Sequence, residues 1–445
     1  MFARLGFALA AATLLCGCGG ATRPAPKLLA LGAYLVGGAD GFEATQLLAL
    51  DPQTLRPRAA LKLGDAVASG VTGSSFVFSP NRGTLVFAGL NSHELLFVDP
   101  ARLRITQRLK VPQLRAQNID VEIAGWPRRD LLVAVTSLDG AWWAPHPTHV
   151  VLIDPVEGRV VRRVPLGGAL AAAVTTSDGT IVLLRTPAGS GGVERGIPTL
   201  VVVRPSGRIR RLRLPPLTLE GREHLRLDGT SFPAERTAGL TTDGGRRAFV
   251  VAAGRPIAEM DVPTLRVRYH RVRIPATRFS VPAVTPGTAG VRYRFSRRGT
   301  WLGRALLAIS GEDELPAEVG DPILGHRVDP IRAQLVDTRR WRVSRSLPAT
   351  GCARVHELVL CSGGVRIRGG ADAFDTGLVA YDRHWRARFR LPPPVSWAVA
   401  AGRLFVGSLD HRIVELDPRS GKLLRRVRPP DSTLPYDVVS WAPPR

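Results

Sequence analysis

The chain has only four lysines and four cysteines in 445 residues. It also lacks any helix-period segment of convincing length beyond its N-terminus, which removes helical bundles and α/β folds from consideration. No G-x-S-x-G elbow, H-E-x-x-H helix or Gly-rich phosphate loop is present, so no hydrolase, zinc-protease or nucleotide-binding signature can be read from it. The nine histidines are scattered, and the eight tryptophans form no recurrent motif of the kind quinoprotein propellers need. Hydrophobic residues make 44% and charged residues 22% of the chain, enough apolar material for a sizeable core. Gly (46) and Pro (36) are frequent, as they are where many short strands are joined by turns. The 61 Lys+Arg against 37 Asp+Glu give +24, nearly all of it arginine. Anionic partners and the codon usage of a GC-rich genome account for that excess equally well.

The N-terminus carries the most specific short signal. Arg4 precedes an apolar run from Leu5 to Leu15, too short for a membrane span and laid out as a secretory signal peptide. The segment Leu15-Cys16-Gly17-Cys18 resembles the bacterial lipobox, with Cys16 an unusual occupant and itself a weaker candidate for modification. The resemblance implies a signal peptide over 1–17, cleavage before Cys18, and acylation of Cys18. Gly19 in place of Asp favours the outer membrane where a cell has two, with the periplasmic side more favoured than the surface. Multiple acyl chains give stable anchoring. Residues 18–27 then form the lipidated cysteine and a short flexible tether, and 28–445 the folded body. Two cysteines remain, Cys352 and Cys361, in two short runs about a turn. That spacing places them across an antiparallel hairpin, and export favours a disulfide between them.

The body repeats. Four or five apolar residues run into an Asp, a polar turn follows, and then a strand alternates Arg with apolar residues. The anchors are Asp51, Asp99, Asp154, Arg204 (in place of Asp), Asp261, Asp337, Asp382 and Asp417, 35 to 76 residues apart. Between them lies a second hairpin type, as in FVFSPNRGTLVFAG and LTTDGGRRAFVVA. Two hairpins per unit make the four strands of a propeller blade. The phrases SPNRGTLVF and LLFVDPARLRITQRL resemble the YVTN-type and WD-repeat-like bacterial β-propellers. The resemblance covers nearly all of the body and implies a fold, an all-β ring of four-stranded blades, rather than an activity. Eight anchors imply eight blades; seven follows if the 261–337 stretch or the short 382–417 unit is misread. The chain opens in mid-blade, so a C-terminal strand from Tyr436 to Pro443 pairing with residues 28–36 closes the ring. An acidic segment from Gly311 to Asp321 reads as a solvated insertion.

Arginines gather in the outermost strand of each unit, among them Arg210, Arg268, Arg271, Arg273, Arg388 and Arg425. Cations there keep exposed sheet edges from associating, and the same rim could grip acidic partners or phosphate groups. Trp142, Trp143, His146 and His149 lie in a long connection and are candidates for a partner-binding loop, or for packing over the central channel. The two histidines lack a third ligand for a metal. Two functions remain open. One is a lipid-anchored, non-enzymatic scaffold for an envelope protein or anionic polymer, with no cofactor, no metal and no nucleic acid. The other is a lactonase-type hydrolase, a class to which some YVTN-like propellers are related, with its site in the channel.

Overall fold

A computed structural model describes residues 27–442 apart from 37–41, 65–75, 89–93, 112–118, 139–148, 187–195, 220–222, 226–230, 234, 275–293, 316–326, 364, 369–371, 376, 393–395, 409–411 and 430–433. Blade 1 begins with β1 (Lys27–Val36), β2 (Phe42–Leu50) and β3 (Pro57–Gly64). Blade 2 holds β4 (Val77–Phe78), β5 (Leu85–Ala88), β6 (Glu94–Asp99) and β7 (Arg104–Lys110). Blade 3 holds β8 (Ile119–Arg128), β9 (Leu131–Leu138), β10 (His149–Asp154) and β11 (Arg159–Pro165). Blade 4 holds β12 (Ala169–Thr175), β13 (Ile181–Thr186), β14 (Thr199–Val203) and β15 (Ile209–Arg213). A small hairpin, β16 (Glu223–Leu225) with β17 (Ser231–Pro233), and the short strand β18 (Glu235–Thr237) follow. Blade 5 holds β19 (Gly239–Thr242), β20 (Arg247–Val251), β21 (Ile257–Asp261) and β22 (Arg266–His270). Blade 6 holds β23 (Arg294–Gly303), β24 (Leu306–Leu315), β25 (Arg327–Asp337) and β26 (Arg342–Leu347), and β18 adds to it parallel to β23. Blade 7 holds β27 (Ala349–Val355) and β28 (Leu358–Gly363). After the hairpin β29 (Val365–Arg368) and β30 (Asp372–Asp375), it continues with β31 (Leu378–Tyr381) and β32 (Ala387–Leu391). Blade 8 holds β33 (Ser396–Ala400), β34 (Arg403–Ser408), β35 (Arg412–Leu416) and β36 (Leu423–Val427). The last strand, β37 (Leu434–Trp441), returns to blade 1.

Among the described residues these strands form eight four-stranded antiparallel blades in a ring. The ring closes where the repeat pattern places the closure. β37 pairs with β1 in register, Lys27 opposite Trp441 and Leu29 opposite Val439, and becomes the innermost strand of blade 1. Trp441 is 1% exposed, and its indole Nε1 donates to the carbonyl of Arg82 in blade 2 at 2.8 Å.

The middle strands are apolar on both faces because both faces are covered, one by each neighbouring blade. In β13, Val182 and Leu184 pack toward blade 5, while Ile181 and Leu183 pack toward blade 3. The same alternation yields one buried cluster at every seam. Trp441 and Phe87 lie between blades 1 and 2, Phe97 and Ile123 between 2 and 3, and Phe249 and Leu307 between 5 and 6. Leu335 and Cys361 lie between blades 6 and 7, Leu360 and Leu404 between 7 and 8, and Leu48 and Phe405 between 8 and 1.

The acidic segment is not wholly an insertion. Gly311–Leu315 continue β24, with Glu312 opposite Pro330 and Glu314 opposite Val328 on β25. A strand ladder is satisfied by main-chain hydrogen bonds and does not require apolar side chains at every position. Arg271 and Arg273 also depart from the expected edge strand, since β22 ends at His270 and both follow it.

Candidate functional site

In seven of the eight blades the third strand ends in a turn built by its Asp, blade 4 having Arg204 there. The Asp51 carboxylate accepts the backbone N–H groups of Gln53 and Thr54 at 2.8 and 2.7 Å. Asp99, Asp154, Asp261, Asp337, Asp382 and Asp417 accept N–H groups two to four residues on in the same way. These are Asx turns, and they give the recurrent Asp a structural role. Three or four residues after the anchor the chain enters the left-handed region. Leu55, Leu103, Leu265, Trp341 and Trp385 hold φ of 51° to 62° there, and Gly158, Gly207 and Gly421 occupy the corresponding places in blades 3, 4 and 8. For Leu or Trp this conformation is unfavourable by about 1–2 kcal/mol, and burial offsets it. Leu55 is fully buried with Val427 of the preceding blade's outer strand beside it, and Leu103 packs against Leu61 in the same relation. Trp341 stacks face to face on His270 of β22, with ring centroids 3.5 Å apart. In these five blades the side chain thus plugs the seam to the blade before it, and the three glycines leave it out.

Seam 2–3 has no such plug. Gly158 faces only the Gln107 amide of β7, 2.6 Å from where a Cβ would stand, whereas at seam 7–8 Phe389 closes over Gly421. A groove of about 410 Å³ results, lined by Leu109 and Lys110 of blade 2 and residues 158–163 of blade 3. It carries Lys110, Arg159, Arg162 and Arg163, and among the described residues no carboxylate lines it. Lys110 lies 3.9 Å from Glu94, which Arg108 also approaches, and neither Arg159 nor Arg162 has a carboxylate partner among the described residues. Burial holds the Arg163 pKa below its ordinary value. Beside the groove Val156 and Val161 are 56% and 53% exposed. β11 is the last strand of its sheet, so among the described residues its outer main-chain edge has no neighbouring strand.

Seam 5–6 combines ion pairs with stacked rings. Arg247 bridges Asp243 (2.9 Å) and Glu259 (3.3 Å), and Glu259 meets His270 Nε2 at 2.9 Å. Phe249 stacks on Trp301 of blade 6 at 5.3 Å, with the Arg247 guanidinium over both rings. Blade 8 repeats the arrangement. Arg403 forms a two-pronged pair with Glu415, lies 5.1 Å over Phe405 and donates to the carbonyl of Pro52 across seam 8–1. The signal for this pair was in the sequence, as R-x-F followed by E-x-D in RAFVV…AEMD and RLFVG…VELD.

Of the residues singled out from the sequence, Cys18, Trp142, Trp143 and His146 lie outside the described residues. His149 is not in a loop but opens β10, half-buried, opposite Thr136 and Pro165. Cys352 and Cys361 stand directly opposite one another on β27 and β28 and form a disulfide, buried in the seam 6–7 cluster. Among the described residues no group of three or more His, Cys, Asp or Glu is gathered to hold a metal ion, and no helix is long and apolar enough to cross a membrane.

No protein-family model matches the chain, and no curated protein matches it in sequence. Solved β-propellers match it in structure. The dihydro-heme d1 dehydrogenase NirN in complex with DHE is 11% identical, with a TM-score of 0.53 over 92% of this chain and 74% of its own. BamB from Moraxella catarrhalis is 10% identical, with a TM-score of 0.42 over 87% of this chain and 93% of its own. Apo AztD from Citrobacter koseri is 12% identical, with a TM-score of 0.45 over 93% of this chain and 98% of its own. The likeness to NirN establishes the β-propeller fold and nothing finer.

Proposed function

We propose that the chain is a lipid-anchored propeller of the cell envelope, held by acylated Cys18 at the periplasmic face of the outer membrane, that docks an acidic segment of a partner protein. The observation that carries this reading is the unplugged groove at seam 2–3. It gathers four cations without a lining carboxylate, next to exposed Val156 and Val161 and along the open edge of β11. An extended acidic segment would add to that edge through main-chain hydrogen bonds, place apolar side chains on the valines and pair its carboxylates with Arg159 and Arg162. The segment bearing Trp142, Trp143 and His146, together with His149 at the start of β10, supplies a second contact in this reading.

The test is crosslinking of the full-length lipidated protein in native membranes, read by mass spectrometry, for wild type and two variants. Gly158→Leu restores the plug that five other blades carry, in a conformation Leu adopts at three of them, so thermal stability should hold while partner capture falls at least tenfold. Trp142→Ala with Trp143→Ala should also lower capture at unchanged stability. A partner recovered equally from wild type and Gly158→Leu would sink the groove as the docking site. Recovery of an anionic polymer and no protein would replace the protein partner. Failure of Cys18→Ala to abolish metabolic labelling with palmitate would remove the anchor.

A further inference from the structure

A second basic cavity lies on the other side of the ring. It occupies about 330 Å³ at seam 5–6. Arg255 enters it from the β20–β21 turn, Arg271 and Arg273 from the segment just past β22, and Arg297 from β23 of the next blade. Gly239 is what lets the last of these in. A Cβ there would stand 2.3 Å from the carbonyl oxygen of Arg297, so only glycine allows β23 to run this close to β19. Arg297 is 6% exposed, whereas Arg271 and Arg273 are exposed and have no carboxylate partner among the described residues. Among the described residues no Asp or Glu lines the cavity, and Val272 and Ile274 give it one apolar wall. The stacked Trp341–His270 pair, immediately before Arg271, fixes the end of β22.

Arg271 and Arg273 bring two exposed charges without a carboxylate partner among the described residues to one small volume, and a bound anion offsets them. One carboxylate is matched by one arginine, used bidentately. A phosphomonoester carries a charge of roughly −1.5 to −2 on three terminal oxygens and can use several at once. A cavity near 300 Å³ sits at the lower end for small-molecule sites, and the apolar wall suits the group to which the phosphate is attached. We infer that the seam between blades 5 and 6 is a binding site for a phosphomonoester on a small organic group, held by Arg255, Arg271, Arg273 and Arg297. This site is separate from the seam 2–3 groove and does not depend on it.

Both a soluble phosphate ester and a phosphomonoester lipid headgroup offer this chemistry. The full-length protein is titrated calorimetrically with glycerol 3-phosphate, and with citrate at matched ionic strength. It is then floated with vesicles of phosphatidic acid in phosphatidylcholine and with phosphatidylcholine alone. Arg271→Ser with Arg273→Ser is the informative variant, because both residues are exposed and outside the strands, and its melting temperature shows that it folds. Saturable binding of glycerol 3-phosphate in preference to citrate, weakened at least tenfold in the variant, supports a soluble ligand. Flotation that requires phosphatidic acid, is lost in the variant and is competed by glycerol 3-phosphate supports the headgroup. Binding equal in wild type and variant, citrate binding as tightly as the ester, or no binding in either arm overturns the site.

Discussion

At the scale of single residues the anchoring aspartates have a measurable signature. The backbone N–H groups of Thr54 and Gln53, with the Arg58 guanidinium, hold the Asp51 carboxyl at about 2. Asp382 and Asp417 are lowered too, the first chiefly by the Arg386 N–H and the second by the Ser420 hydroxyl. A carboxyl whose pKa is lower folded than unfolded stabilises the fold above its unfolded value, near 4, and the contribution disappears as pH falls through the folded value. Thermal stability should therefore drop between about pH 4 and pH 2. Asp51→Asn keeps an acceptor oxygen but loses the charge, so its melting temperature should lie below wild type at pH 7, with the gap closing near pH 2. A gap independent of pH, followed by circular dichroism, would contradict this assignment. The anchors were legible in the sequence because an Asx turn is local chemistry. The left-handed Leu and Trp residues after them were not, because intrinsic preference argues against that conformation and only burial in a neighbouring blade sustains it.

At the scale of elements, the strands that could be read were those whose surroundings leave a pattern. Doubly covered middle strands such as 200–203 are wholly apolar, and outer strands such as β7 alternate exposed polar residues, mostly cations, with covered ones. GEDEL was read as loop because its side chains are charged, although its main chain is paired on both sides. The Cys352–Cys361 hairpin was legible from spacing alone, and its cross-link predicts a modest effect. Closing a loop of about ten residues restricts the unfolded chain by roughly 2–3 kcal/mol in the chain-entropy model. Cys352→Ala with Cys361→Ala should lower unfolding free energy by about that amount in denaturant titrations. Reductant should destabilise wild type and leave the double variant unchanged. An equal response of the two proteins to reductant would show that the bridge is not the source.

At the scale of the whole molecule, blade number and closure are legible in eight anchors and a first unit one strand short. The two grooves did not follow, since each is made by side chains from neighbouring blades whose convergence no linear pattern displays. Arg271 and Arg273 share the alternation of an edge strand, but β22 stops before them. Deleting residues 434–445 removes β37 and with it Trp441, bares one edge of β1, and opens two seam clusters at once. The truncated chain should aggregate or unfold on size-exclusion chromatography. Trp441→Ala should remain a monomer destabilised by about 3–5 kcal/mol. A soluble, cooperatively melting truncation would mean that the ring holds with blade 1 lacking its innermost strand. The pairing of β1 with β37 also sets a schedule. Strands β1–β3 are the first to emerge from the ribosome or an export channel, and residues 65–433 must follow before their partner arrives. Throughout that interval an apolar strand waits with an open edge, the form in which a chain is most readily captured by another copy of itself or by a chaperone. The oldest sheet in the molecule is therefore also the last to be finished.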